Sequence, residues 1–220
     1  MSVPPPPTSR LRARKAVLPT SAVPDGTRRR ILEAALQLFA SRGFHGASIR
    51  DLATALELRP SALYAHFASK EHVLAELVLM GHEAHHEGLR TALLGAGSEP
   101  IEQLRALVRA HTLLHANHPQ LAVVVNEEIH VLPPELAAPA LAVREQSAAL
   151  LHAVIERGRA QGVFSVPHAG VTAAAISTLG LRLPYWYEPT PALDVDMLAD
   201  LHVELSLRML GVQGPPAPAP

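Results

Sequence analysis

Ser48-Ile-Arg-Asp-Leu-Ala-Thr-Ala-Leu-Glu-Leu-Arg-Pro-Ser-Ala-Leu-Tyr-Ala-His-Phe67 is the stretch whose pattern decides the fold of this chain. Its first half opens on a hydroxyl side chain able to cap a helix, Ser48, and continues with Ile49, Leu52 and Ala53 on one face. Its second half opens on Pro60, which is harmless in a first helical turn, and carries Leu63, Tyr64 and Phe67. The spacing predicts two short helices, Ser48 to Ala55 and Pro60 to Phe67, joined by a four-residue turn, the layout of a helix-turn-helix. Such a pair reads duplex DNA because an α-helix fits the major groove while the helix before it grips the backbone phosphates. Spacing alone leaves a purely structural helical pair equally open.

Working outward, Ile31, Ala35, Leu38 and Phe39 repeat at the three-and-four spacing of a buried helical face, from about Thr27 to a stop at Gly43. Ser69 caps a long helix extending to Leu94. Breaks at Gly95 to Pro100, His118-Pro119, Pro133-Pro134, Gly158 to Pro167 and Leu183 to Pro191 delimit further helices near 101–117, 120–131, 135–160, 168–183 and 194–210. About a third of the residues between the tails are Ala or Leu, and no β-branched alternating run occurs. The expected class is therefore all-α, about nine helices: an N-terminal three-helix domain with the helix-turn-helix, then a larger C-terminal helical bundle. The expected division is a disordered basic, Pro-rich arm over 1–24, a helix-turn-helix domain over 25–76 with its motif at 48–67, a larger helical domain over 77–212, to which the family resemblance given below assigns ligand binding and dimerisation, and a disordered tail over 213–220. Half of the 20 prolines lie in the two tails. The front arm also carries Arg10, Arg12, Arg14 and Lys15, either a solvated arm or a DNA-contacting one.

The net charge of −1 hides an asymmetry. Eleven Lys/Arg against six Asp/Glu precede residue 77, and eight against fourteen follow it. A cationic front suits a polyanion, and an anionic remainder would be repelled by one. With no cysteine, a disulfide framework, a thiolate zinc site, an iron–sulfur cluster and a cysteine nucleophile are excluded, and a cytoplasmic setting fits. The longest uncharged run, Ala160 to Leu181, is broken by Gly162, Pro167, His168 and Gly170, so no membrane span is expected. Pro4 to Pro7 stand where a signal peptide would need an apolar core. A nucleophile elbow, a phosphate-cradling glycine loop and a paired-carboxylate site are all absent from the sequence, which argues against an enzyme.

More specific than any spacing is the text Arg30-Ile-Leu-Glu-Ala-Ala-Leu-Gln-Leu-Phe39, then Arg42-Gly-Phe, Ser48-Ile-Arg-Asp-Leu-Ala53, Ala62-Leu-Tyr-Ala-His-Phe67 and Ser69-Lys70. It resembles the DNA-binding domain of the TetR family of transcriptional regulators over roughly residues 27–76. The resemblance implies a homodimer of protomers that each join a DNA-reading domain to a C-terminal effector domain, with a palindromic double-stranded operator and a small-molecule effector as partners and no cofactor. It places Ser48 and Arg50 at the phosphate end of the second helix, Ser61, Ala62 and Tyr64 at the groove, and His66 and Lys70 on phosphates. It makes Leu52, Ala53, Leu63 and Phe67 core. Arg59 stands where family members usually have a small hydroxyl residue, and reads either as a phosphate or guanine contact or as a solvated side chain. Glu57 stands where they usually have Gly; a side chain there reaches positive φ only at a cost, so a tighter or differently shaped turn is expected.

In the C-terminal part, Val171, Ala174, Ala175, Thr178 and Leu179 form one apolar helix face, and Leu198, Leu201, Leu205 and Leu210 another. The family resemblance puts a four-helix dimer interface here, over 168–183 and 194–210; intrachain core is the plainer use of one such face. Ten of the 13 histidines lie beyond residue 80, with His111, His115 and His118, and again His82 and His86, on single helix faces. Such spacing can hold a divalent metal, the alternative being a metal-responsive regulator, although hydrogen bonding to an organic effector is the preferred role. The segment Pro184-Tyr-Trp-Tyr-Glu-Pro189, followed by Asp194, is similar to the ends of TetR-family regulators of fatty-acid and steroid catabolism, which implies an acyl-CoA thioester as effector. The candidate ligand residues are His111, His115, Asn126, Phe164, Tyr185 and Trp186; no metal ligands and no catalytic residues are assigned.

Overall fold

The computed structural model describes residues 16–19 and 26–212. Among these residues the only regular structure is helical. The helices are α1 (Thr27–Arg42), α2 (Ile49–Ala55), α3 (Pro60–Tyr64), α4 (Lys70–Gly95), α5 (Pro100–Asn117), α6 (Pro119–Glu127), α7 (Pro134–Ala160), α8 (Ala169–Leu181), α9 (Leu183–Trp186) and α10 (Val195–Met209). A 3-10 turn, Glu128–Val131, follows α6. These are the nine expected helices plus α9, which fills part of the break expected from Leu183 to Pro191; Pro184 sits in its first turn, where a missing N–H costs nothing. Two expected helices are shorter, since residues 128–131 tighten into the 3-10 turn and α3 stops at Tyr64, with His66 and Phe67 folding back onto the Leu63 carbonyl.

The chain divides into two compact units. The first comprises the described residues up to His86, with 118–144 and 184–186. Its core is a single apolar cluster in which Ile31, Leu32, Ala35 and Leu36 of α1 are fully enclosed with Leu74 and Leu77 of α4 and Val124 of α6. α1 thus buries a wider face than its expected stripe, while Leu38 is only half-buried. Residues 16–19, expected in the disordered arm, join this core: Leu18 is 1% exposed and the Ala16 N–H donates to Gln37 Oε1 at 2.9 Å. Arg10, Arg12, Arg14 and Lys15 lie outside the described residues.

The second unit comprises 87–117, 145–183 and the described residues from Tyr187 onward. Here α5, α8 and α10 pack around Leu104, Leu107, Ile155, Phe164, Ile176, Val203 and Leu207. Asp194 starts α10 by accepting from the Met197 N–H at 2.8 Å. The close approach of α5 and α8 depends on Gly180, because a Cβ there would fall 2.3 Å from the His111 ring. The faces read for dimerisation need one correction. Leu198 and Leu210 are buried within the chain, and the exposed stripe of α10 is instead Met197, Leu201, Leu205 and Met209, four residues apart. On α8, Val171, Ala174, Ala175 and Thr178 are exposed as expected and Leu179 half-buried.

Candidate nucleic-acid interface and effector region

The helix-turn-helix is held by three polar clamps, each built around a charged side chain. At the start of α2, Ser48 and Asp51 form a reciprocal capping box: the Asp51 N–H donates to Ser48 Oγ at 3.1 Å, and the Ser48 N–H donates to Asp51 Oδ2 at 2.9 Å. The Ser48 hydroxyl and N–H, both donating to this carboxylate, and Arg42 beside it hold the Asp51 carboxyl below its ordinary range. Both polar groups of Ser48 are therefore already engaged, while Arg50 next to it is exposed. At the start of α4, Lys70 Nζ donates to the Phe44 and Ala47 carbonyls, each at 2.9 Å, and lies 3.9 Å from the Phe44 ring centre. Lys70, expected on a phosphate, thus has two of its three protons committed to the corner before α2. The third clamp is Arg28, which pairs with Glu76, donates to the His66 carbonyl at 2.8 Å and lies 4.2 Å over the Phe67 ring, tying the end of the recognition segment to α1 and α4. Sequence reasoning passed over Arg28 because it begins the run Arg28-Arg29-Arg30, which reads as solvated surface, and passed over Asp51 although its position three residues after Ser48 was the signal of the box.

The turn corrects one expectation. Glu57 does adopt positive φ, 56°. The Glu57 N–H bonds the Thr54 carbonyl at 3.2 Å and the Leu58 N–H bonds the Ala53 carbonyl at 2.9 Å. This crossed pair is the helix-ending motif that usually places Gly in the left-handed position. The turn thus keeps the shape that glycine gives it, and the glutamate bears the strain. With Leu52, Ala53, Leu63 and Phe67 buried behind it, the motif exposes Arg50, Arg59, Ser61, Tyr64 and His66, with Ala62 half-exposed among them.

The six ligand candidates divide between the two units. Asn126, Tyr185 and Trp186 belong to the first, where Asn126 Nδ2 turns back to the Ala122 carbonyl at 2.7 Å. His111, His115 and Phe164 belong to the second. Phe164 is a core residue, 3% exposed. The His111 ring donates from Nε2 to the Ser177 carbonyl at 2.9 Å, and His115 donates from Nδ1 to the His111 carbonyl at 2.8 Å, the two rings 4.3 Å apart. Burial pushes His111 down to about 4, with the Ser177 carbonyl opposing it. Beside it Thr112 Oγ1 and His202 Nδ1 are 3.0 Å apart, both buried. His82, in the first unit, is likewise pushed down to about 4 by burial and by the Arg144 charge. His118, expected on the face of His111 and His115, instead begins α6 and bonds the Val17 carbonyl at 3.1 Å. Of the aromatic trio, the buried one is Tyr187, whose hydroxyl donates to the Leu193 carbonyl at 3.2 Å; Trp186 is half-exposed.

Residues 31–77 match the domain described as bacterial regulatory proteins, tetR family, and residues 97–210 match the tetracyclin repressor-like C-terminal domain. The HTH-type transcriptional repressor KstR2 of Rhodococcus jostii is 27% identical over 187 residues, covering 83% of this chain and 90% of that protein. A tetR-family regulatory protein from Rhodococcus RHA1 superposes with a TM-score of 0.79 at 29% identity, over 85% of this chain and 98% of that one. AibR, solved with isovaleryl coenzyme A and operator DNA, superposes with a TM-score of 0.74 at 25% identity, over 81% and 96%. Both halves of the chain having matched, the protein belongs to the TetR family of bacterial transcriptional regulators.

Proposed function

We propose that this chain is a dimeric repressor that reads a near-palindromic DNA operator with residues 48–67 and releases it when a small organic effector binds. The observation that carries the reading is the exposed set Arg50, Arg59, Ser61, Tyr64 and His66 on a rigidly clamped helix-turn-helix. In this assignment Ser61, Ala62 and Tyr64 face the groove, Arg50 and His66 take phosphates, and Arg59 takes a phosphate or a guanine edge. Ser48 and Lys70 act mainly by shaping the phosphate-facing end of α2, Lys70 with one proton left for DNA. The working division is a DNA-binding domain over 25–76 and an effector and dimer domain over 77–212.

The dimer forms through α8 and α10. Val171, Met197, Leu201, Leu205 and Met209 supply five large exposed apolar side chains on these two helices, and Ala174 and Ala175 permit close helix approach. AibR and its isovaleryl coenzyme A support an acyl-CoA-like effector. To release the operator the effector must prefer the non-DNA conformation, and a hundredfold preference corresponds to about 2.7 kcal/mol of coupling. In this reading the protein acts in the cytoplasm and carries no catalytic site of its own. Among the described residues no helix is long and apolar enough to cross a membrane.

The test is selection of duplexes from a random pool by the purified full-length protein. Two inverted half-sites centred about one helical turn apart, or slightly more, are expected. A pool with no enriched motif contradicts the reading.

A further inference from the structure

We propose that Glu128 is a positioning residue for DNA binding, holding the corner that aims the helix-turn-helix. The inference rests on the operator-reading function proposed for residues 48–67. The corner is Gly43 to Ala47, the link between α1 and the Ser48 cap of α2. Its carbonyls at Phe44 and Ala47 are gripped by Lys70, as described above. Its N–H at Phe44 is gripped from a part of the chain 84 residues away: it donates to Glu128 Oε1 at 3.1 Å. Gly43 starts the corner in the left-handed region, with φ +71°, and a Cβ built on it would be in ordinary contact, 3.4 Å, with the same carboxylate oxygen. The Phe44 ring is packed against Phe39, centroids 5.5 Å apart, with the Lys70 ammonium near its face, so the corner has no slack on its apolar side.

Glu128 is presented rigidly. It opens the 3-10 turn after α6, and its neighbours Ile129 and Leu132 are both buried in the same core as Phe44. A carboxylate accepting a backbone N–H makes a charge-assisted bond, stronger than a neutral one. Glu128 lies in the stretch that matches the C-terminal family domain and Phe44 in the stretch that matches the DNA-binding domain, so one hydrogen bond joins the two sequence domains inside one compact unit. Operator affinity thereby depends on where residues 128–131 sit, with no contact between Glu128 and DNA required.

The experiment uses the full-length dimer and the duplex it selects. Affinity per active dimer, from stoichiometric titration followed by anisotropy, is compared for Glu128→Ala, the near-isosteric Glu128→Met, which lacks the acceptor, and Glu128→Gln, which keeps one. The Ala and Met variants are expected to bind about tenfold more weakly at an unchanged salt slope, with faster amide exchange over 43–47, and Gln to recover to within about threefold. Met serves the same comparison if Ala does not fold. A Met or Ala variant that binds within twofold of the native dimer overturns the proposal, as does a Gln variant as weak as Met. A native dimer that selects no duplex overturns the operator-reading function itself, a different result from either.

Discussion

The helix-turn-helix region and the α5, α8 and α10 bundle are both rich in Leu and Ala, yet they use polar side chains in opposite ways. In the first, polar groups stand at the edge of the core and grip backbone: Ser48 with Asp51, Lys70 on two carbonyls, Arg28 on the His66 carbonyl. In the second they are inside and bonded to one another or to helix carbonyls: His111, Thr112, His115, His202 and Ser206. The difference teaches what each is built to do. Edge clamps fix a small surface in one geometry while leaving charge outside for a polyanion. Buried imidazoles keep hydrogen-bonding capacity in an apolar interior at the cost of acid sensitivity.

The largest expected effect breaks the comparison at the dimer face. Leu201→Asp with Leu205→Asp should leave a folded monomer by sedimentation and weaken operator binding about 100-fold or more, because the second half-site loses its tether. Next in size is acid sensitivity. His82 and His111 are held neutral in the folded state, near 4 against 6.5 unfolded. The unfolded chain therefore binds more protons between these values, so the stability they contribute is present above about pH 6.5 and lost as pH falls toward 4. Urea unfolding at pH 7 and pH 5 should differ by about 2 kcal/mol per histidine, and His111→Gln should remove its share. Removing Thr112 Oγ1 by Thr112→Val orphans the His202 ring inside the bundle and should cost about 1–3 kcal/mol in the same assay. The smallest effect has the opposite sign: Glu57→Gly relieves the left-handed strain and should raise stability by about 1 kcal/mol with operator affinity little changed.

Legibility followed the same contrast. Ile31 was readable as core from the three-and-four spacing of α1, and Leu52, Leu63 and Phe67 from the family resemblance of the motif; all four are buried. Leu198 and Leu210 were misplaced because α10 is apolar on two faces, and a single repeat does not say which face meets the chain and which meets another copy. Trp186 and Tyr187 were readable as an anchor segment, but which ring is buried depends on the α9 turn, and that turn on Pro184. Gly43 is visible as a helix stop, but the bond from the Phe44 N–H to Glu128, 84 residues distant, is one that no local pattern encodes. Lys70 and Ser48 kept the polar character expected of phosphate ligands, but their bonds go first to the protein.

The central claim is tested most directly by the salt dependence of binding to the selected duplex. About four phosphate contacts per protomer predict a slope of log affinity against log salt near −7 for the dimer, from about −0.9 per contact. An affinity that scarcely changes between low and moderate salt would contradict the account.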